Sequence, residues 1–171
     1  MSHSDELLNQ AMLMLALNPA AIFVGQGVAY GGVATYKHLT GIPDSQRLEM
    51  PVAEDFQLGF CTGLSLQGFL PISIFPRIDF MLRAADQLVN HLDKLEFMSR
   101  GDFKPRVIIR TRVGSRTPLD AGPQHSQDHT AAFSLMLTNM TVYRIDDPAE
   151  ILPVYRAAVA DPRSSLVIEA L

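Results

Sequence analysis

Short apolar runs alternate with amphipathic stretches along the whole chain. The runs AAIFVG (20–25), QRLEM (46–50), FLPISIF (69–75), RVIIRTRV (106–113), MTVYRI (140–145) and SLVIEAL (165–171) have the length of strands. An apolar run such as AAIFVG suits a strand buried on both faces of a parallel sheet. Between the runs the period becomes that of a helix. Leu7, Leu8, Ala11, Met14 and Leu15 share one face of a helix expected over 4–18, with Ser4 as its cap and Asn18-Pro19 as its stop. Further helices are expected over 32–40, 53–67, 78–98, 128–138 and 148–160. The longest, 78–98, carries Phe80, Leu82, Ala85, Leu88, Val89, Leu92 and Leu95 at helical spacing. Glu54 and Asp55 fall in the first turn of the 53–67 helix, where the helix dipole favours acids. Asp147-Pro148 opens the last one.

Alternation of this kind predicts right-handed βαβ units. The expected fold is α/β: a three-layer, doubly wound, mostly parallel sheet with helices on both faces, formed by a single domain over 1–171. In such folds ligands bind beyond the carboxyl ends of the strands. That directs attention to GQGVAYGG, PVAED, PRIDF and GPQHSQ, the polar stretches that follow strands one to four.

Composition narrows the function classes. At 47% hydrophobic and 19% charged the chain has enough apolar residues for one sizeable core. A net charge of −4 and the lack of any Lys/Arg run argue against a nucleic-acid binder. The polar, acidic start MSHSDELLNQ does not read as a signal peptide, and the apolar stretch around 11–24 is too short to span a bilayer. A cytoplasmic location, with no membrane contact, is the default expectation. Cys61, the single cysteine, lies in an apolar run and reads as a small buried hydrophobe.

Several motifs do not hold. GQGVAYGG places Tyr30 where a dinucleotide loop needs its third glycine. No phosphate-binding G-x-x-x-x-G-K-[ST] is present, and no G-x-S-x-G elbow. His125 and His129 have a metal-like spacing but lack the glutamate and the cysteine ligands of a zinc site, so no metal ligand is assigned.

One constellation is specific. Residues 50–90 contain Pro51-Val52-Ala53-Glu54, Gly59 and Gly63, Gly68-Phe69-Leu70-Pro71, Asp79-Phe80 and Ala85-Asp86-Gln87. Gly122-Pro123-Gln124-His125-Ser126-Gln127 follows downstream. These blocks, in this order, resemble the pyrimidine-binding (transketolase-like) domain of thiamine-diphosphate enzymes, and within it the beta subunit of the 2-oxo acid dehydrogenases. The resemblance covers nearly the whole chain. It implies an enzyme subunit that uses thiamine diphosphate and acts on a 2-oxo acid, by decarboxylation with acyl or aldehyde transfer. It assigns Glu54 to a ring nitrogen of the aminopyrimidine, favouring the tautomer that serves as an internal base. It assigns Phe80 to packing on that ring, with Val52 and Gln87 also beside the cofactor. His125 matches a histidine that faces the reacting carbon and steers substrate, while His129 reads as a helix-start residue. The Gly59/Gly63 spacing leaves one helical face bare, for either a subunit interface or packing within the domain.

The departures are informative too. Gln26 stands where the family usually has an acid. Arg83 stands where a glutamine is common and adds a cation near the site. The family's further C-terminal domain has no counterpart in these 171 residues. The metal-diphosphate motif G-D-G…N is also missing, since Gly101-Asp102 is followed by Phe103. On the resemblance, a diphosphate-binding alpha-type partner chain holds Mg²⁺ and completes the site, and self-association accompanies it. Two alternatives stay open at this point: a transketolase-like ketol-transfer subunit, and a non-catalytic scaffold or regulatory homologue.

Overall fold

The computed structural model describes residues 2–31, 34–117 and 120–171. Six strands form one sheet in which every pair is parallel: β1 (Ala21–Gly25), β2 (Arg47–Glu49), β3 (Leu70–Ile74), β4 (Ile108–Arg112), β5 (Thr141–Ile145) and β6 (Ser165–Glu169). Their order across the sheet is β2-β1-β3-β4-β6-β5. Each predicted strand is present, trimmed at its ends. The chain winds outward from β1 to β2, then crosses back over β1 to reach β3. The winding therefore reverses between β1 and β3, which is where ligands bind in open sheets of this kind.

Apolar residues cover both faces of the sheet. On one face Phe23, Ile72, Ile74, Ile108 and Val167 pack against α1 (His3–Ala16) and α5 (Ile151–Ala160) through Leu8, Met12, Leu15, Ile151 and Tyr155. On the other, Val24, Ile109, Leu166 and Ile168 meet Leu58 and Cys61 of α2 (Glu54–Leu66), Leu88 and Leu92, and Phe133 of α4 (Thr130–Met136). The neighbours Ile108 and Ile109 point to opposite cores, as the strand period of two requires. The expected three layers are thus present.

The first-face core also holds ions. Arg110, fully buried on β4, donates from Nε to Glu169 Oε1 at 2.7 Å and from Nη2 to Glu169 Oε2 at 3.1 Å. The Tyr155 hydroxyl donates to the same Oε1 at 2.6 Å. Arg110 Nη2 also lies 2.7 Å from His38 Nδ1, and His38 Nε2 lies 3.0 Å from Asp5 Oδ1. This chain of contacts ties α1, β4, α5 and β6 to the 3-10 turn at Ala34–Leu39.

Four helical expectations change. Ser2, not Ser4, caps α1: its hydroxyl accepts from the Asp5 amide while Asp5 accepts from the Ser2 amide, closing a reciprocal capping box. The segment expected as a helix over 32–40 is a 3-10 helix at Ala34–Leu39, with residues 32 and 33 outside the described set. The single long helix over 78–98 is three differently wound pieces: a 3-10 helix at Ile78–Ala84, a π-helical turn at Gln87–Leu92 and a short α3 (Leu95–Met98). Apolar spacing of three and four is compatible with each winding, so the pattern alone does not separate them. The helix expected over 148–160 also starts as a 3-10 turn, Pro148–Glu150, before α5. No helix among the described residues is long and apolar enough to cross a membrane.

Candidate active site

The polar segments beyond β1, β2 and β3 converge where the winding reverses. Gln26 follows β1, Val52 and Glu54 follow β2, and Phe80 and Arg83 follow β3. Together they line one open cavity of about 530 Å³. Val52 is largely exposed at its rim. Glu54 is only 8% exposed, at the first position of α2. Its carboxylate has no hydrogen-bond or ion-pair partner among the described residues. The carboxylate is left to solvent or to a ligand in the cavity that it lines.

The 3-10 winding at Ile78–Ala84 explains how β3 contributes. With three residues per turn, positions three apart eclipse one another. Ile78, Met81 and Ala84 are fully buried in the core. Phe80 and Arg83 therefore share a different edge, the one that faces the cavity, and Arg77 precedes the helix in extended conformation. Arg77 Nη1 donates to the His125 carbonyl at 2.7 Å. The Phe80 ring meets the His125 ring edge-on, with centroids 5.5 Å apart. Arg83 reaches the cavity wall. Asp79, on the third face, accepts from the backbone and side-chain nitrogens of Gln127, both at 3.2 Å.

The loop that carries His125 is therefore held from below by Arg77 and Asp79. Gly114 completes the support: a Cβ there would fall 1.7 Å from the His125 carbonyl oxygen, so only glycine permits this approach. Among the described residues the buried His125 Nδ1 has no partner and the other ring nitrogen makes no hydrogen bond. The fold fixes the ring's position and leaves its nitrogens unpaired among the described residues. His129 stands at the start of α4, as its place in the sequence suggested.

The loop beyond β1 is organised by Glu49, the last residue of β2. Its carboxylate accepts from the amides of Gly27, Val28 and Ala29, at 2.5, 2.9 and 2.8 Å. These bonds hold the turn in which Gln26 faces the cavity. No role was assigned from the sequence to Glu49, Arg77, Asp79 or Gly114. The first three are ordinary charged residues at the end of β2 and the start of the 3-10 helix, and no local pattern marks a residue whose partner lies on another loop.

Of the residues assigned from the resemblance, the structure brings Val52, Glu54 and Phe80 to one cavity and sets the His125 ring against Phe80. Gln87 lies elsewhere, with its side-chain oxygen 3.1 Å from where a Gly59 Cβ would be. Gly59 thus admits Gln87 within the domain, whereas nothing lies within 4 Å of a Cβ at Gly63. A smaller cavity, lined by Ser2, Asp5, His38, Arg112 and Glu169, adjoins the buried ion network.

Comparison with known proteins agrees with the fold. The family described as "Transketolase, pyrimidine binding domain" matches residues 4–170. The chain belongs to that family. Among curated relatives, the pyruvate dehydrogenase E1 component subunit beta-1 of Oryza sativa, a mitochondrial protein, is 28% identical over 172 residues, covering 96% of this chain and 44% of that one. The 3-methyl-2-oxobutanoate dehydrogenase subunit beta of Mycobacterium tuberculosis is 26% identical over 169 residues, covering 96% of this chain and 47% of the relative. The chain thus spans just under half the length of these relatives. A solved structure described as a split gene transketolase, in an inactive beta4 tetramer, superposes with a TM-score of 0.74 at 18% identity, covering 96% of this chain and 50% of that one. Transketolase from Campylobacter jejuni superposes with a TM-score of 0.73 at 14% identity, covering 96% of this chain and 25% of its own. At these identities the structural likeness speaks for the fold of the pyrimidine-binding family.

Proposed function

We propose that this chain is the pyrimidine-holding subunit of a thiamine-diphosphate enzyme acting on a 2-oxo acid, completed by a second polypeptide that binds the diphosphate and Mg²⁺. The observation that carries this reading is Glu54 at the head of α2: a mostly covered residue whose carboxylate has no partner among the described residues and lines a cavity shared with Phe80. When bound, thiamine diphosphate supplies a carbon nucleophile and an electron sink, which is the chemistry that loss of carbon dioxide from a 2-oxo acid requires. The donor set suits an aminopyrimidine. Phe80 offers an aromatic face, Val52 an apolar edge, and Glu54 an anionic oxygen for a ring nitrogen that carries a proton.

The remaining chemistry belongs to the chain's own side chains. Glu54 holds a proton between its carboxylate and the heterocycle, and closure of the cavity by the partner keeps water from competing for that bond. His125, positioned through its carbonyl by Arg77 and through its ring by Phe80, can donate from one nitrogen to negative charge that develops on substrate. The cavity is open to solvent on this chain alone, so the partner must close it.

Affinity capture of the chain from its host, with mass spectrometry of what co-purifies, tests the split-subunit reading. A partner carrying G-D-G…N and thiamine-diphosphate-dependent turnover of a 2-oxo acid are expected. Glu54→Gln should leave that assembly intact by native mass spectrometry and lower turnover by about 10²- to 10⁴-fold. Capture of the chain alone, or full activity of Glu54→Gln, would refute the reading.

A further inference from the structure

The cavity contains a charge that the proposed chemistry does not use. Arg83 lines it, three residues beyond Phe80 on the same edge of the 3-10 helix. The side chain is exposed, and among the described residues no carboxylate lies within ion-pair distance of it. Glu54, the one acid that lines the cavity, is not paired with it. Most of the other arginines are engaged: Arg47 with Asp44, Arg77 with His125, Arg106 with Asp161, Arg110 with Glu169, Arg144 with Asp128 and Asp146, and Arg163 with Asp161.

A guanidinium in this place is poorly suited to the carboxylate that a 2-oxo acid loses. Pairing with that group would be stronger before the reaction than at its transition state, where the charge is leaving as carbon dioxide, and would slow the step. It is well suited to an anionic group that persists unchanged through the reaction. Its planar fork matches a carboxylate, phosphonate or sulfonate through two parallel hydrogen bonds. We infer that Arg83 selects a 2-oxo acid carrying a second, distal anionic group. The inference rests on the reading of the site as a 2-oxo acid site and names its substrate class.

The test compares 2-oxoglutarate with 2-oxopentanoate, which share a five-carbon chain and differ by the terminal carboxylate. On the complex captured with this chain, kcat/KM should favour 2-oxoglutarate. Arg83→Gln should lower the ratio of the two kcat/KM values by about tenfold or more. Arg83→Lys, which keeps the charge and loses the fork, should recover part of it. Calorimetric titration with glutarate, which lacks the oxo group and cannot react, should show the same ranking without turnover. A ratio unmoved by Arg83→Gln, or a wild-type preference for 2-oxopentanoate, overturns the inference and leaves the proposed function standing. Weaker thiamine diphosphate binding in the variant would assign Arg83 to the cofactor, and failure of the variant to assemble would assign it to the partner; either result overturns the inference. A wild-type complex that binds no thiamine diphosphate removes the proposed function itself, and this inference with it.

Discussion

Acidification should destabilise this protein well before its carboxylates titrate, and His38 is the reason. Arg110 can only donate, so the 2.7 Å contact from its Nη2 requires an unprotonated His38 Nδ1. The His38 Nε2–H then donates to Asp5 Oδ1. A second proton on the ring would set an N–H against the guanidinium. Burial, then the Arg110 charge, lower the His38 pKa from 6.5 to about 4, against the opposing pull of Asp5 and Glu169. Because the folded pKa is depressed, the unfolded chain binds the proton more readily between these two values. Stability contributed by neutral His38 is therefore intact above pH 6.5 and is lost as pH falls toward 4. Linkage makes the loss between pH 7 and pH 5 about 2 kcal/mol, with a limiting slope of about 1.4 kcal/mol per pH unit. Asp93, Asp128 and Asp161, whose pKa values are held below the ordinary carboxylate value, lose their contribution only at lower pH. The two windows are separable. The chain has no tryptophan, so urea unfolding is followed by far-ultraviolet circular dichroism at constant ionic strength. His38→Asn retains an acceptor toward Arg110 and does not titrate. It should be less stable at pH 7 and nearly flat between pH 7 and pH 5. If it loses the same 2 kcal/mol as the wild type, another group is titrating and the assignment is wrong.

Two further outcomes follow from packing. Gly114→Ala forces the His125 carbonyl away from Arg77, and a displacement of about 1 Å at a reacting group costs on the order of 100-fold in rate. Partner-dependent turnover should fall by that order while the dichroism spectrum is retained; wild-type turnover would show that the loop does not depend on this support. Burial pushes the Cys61 thiol up to about 12, so a thiol reagent at pH 8 should modify it only at the rate of unfolding. Rapid labelling of the native protein would contradict the buried position.

The alternation of apolar runs and helical periods was sufficient to place six parallel strands, because a strand buried on both faces leaves a signature in its own few residues. Glu54, Phe80 and His125 were legible for a different reason. They sit in short blocks whose order matches a known family, and each block stays at the end of its own strand. The windings within 78–98 were not legible, since the same apolar spacing serves a 3-10, an α or a π turn and neighbouring elements choose among them. Only the folded chain shows that Phe80 and Arg83 share an edge, that Gln87 packs on Gly59, and that Glu49 organises a loop 20 to 22 residues before it. The buried contact of Arg110 with His38 joins residues 72 positions apart. Local patterning records which face of an element is apolar. It carries no record of which distant polar group will meet another, because that is settled by the order of strands in the sheet and the crossings between them.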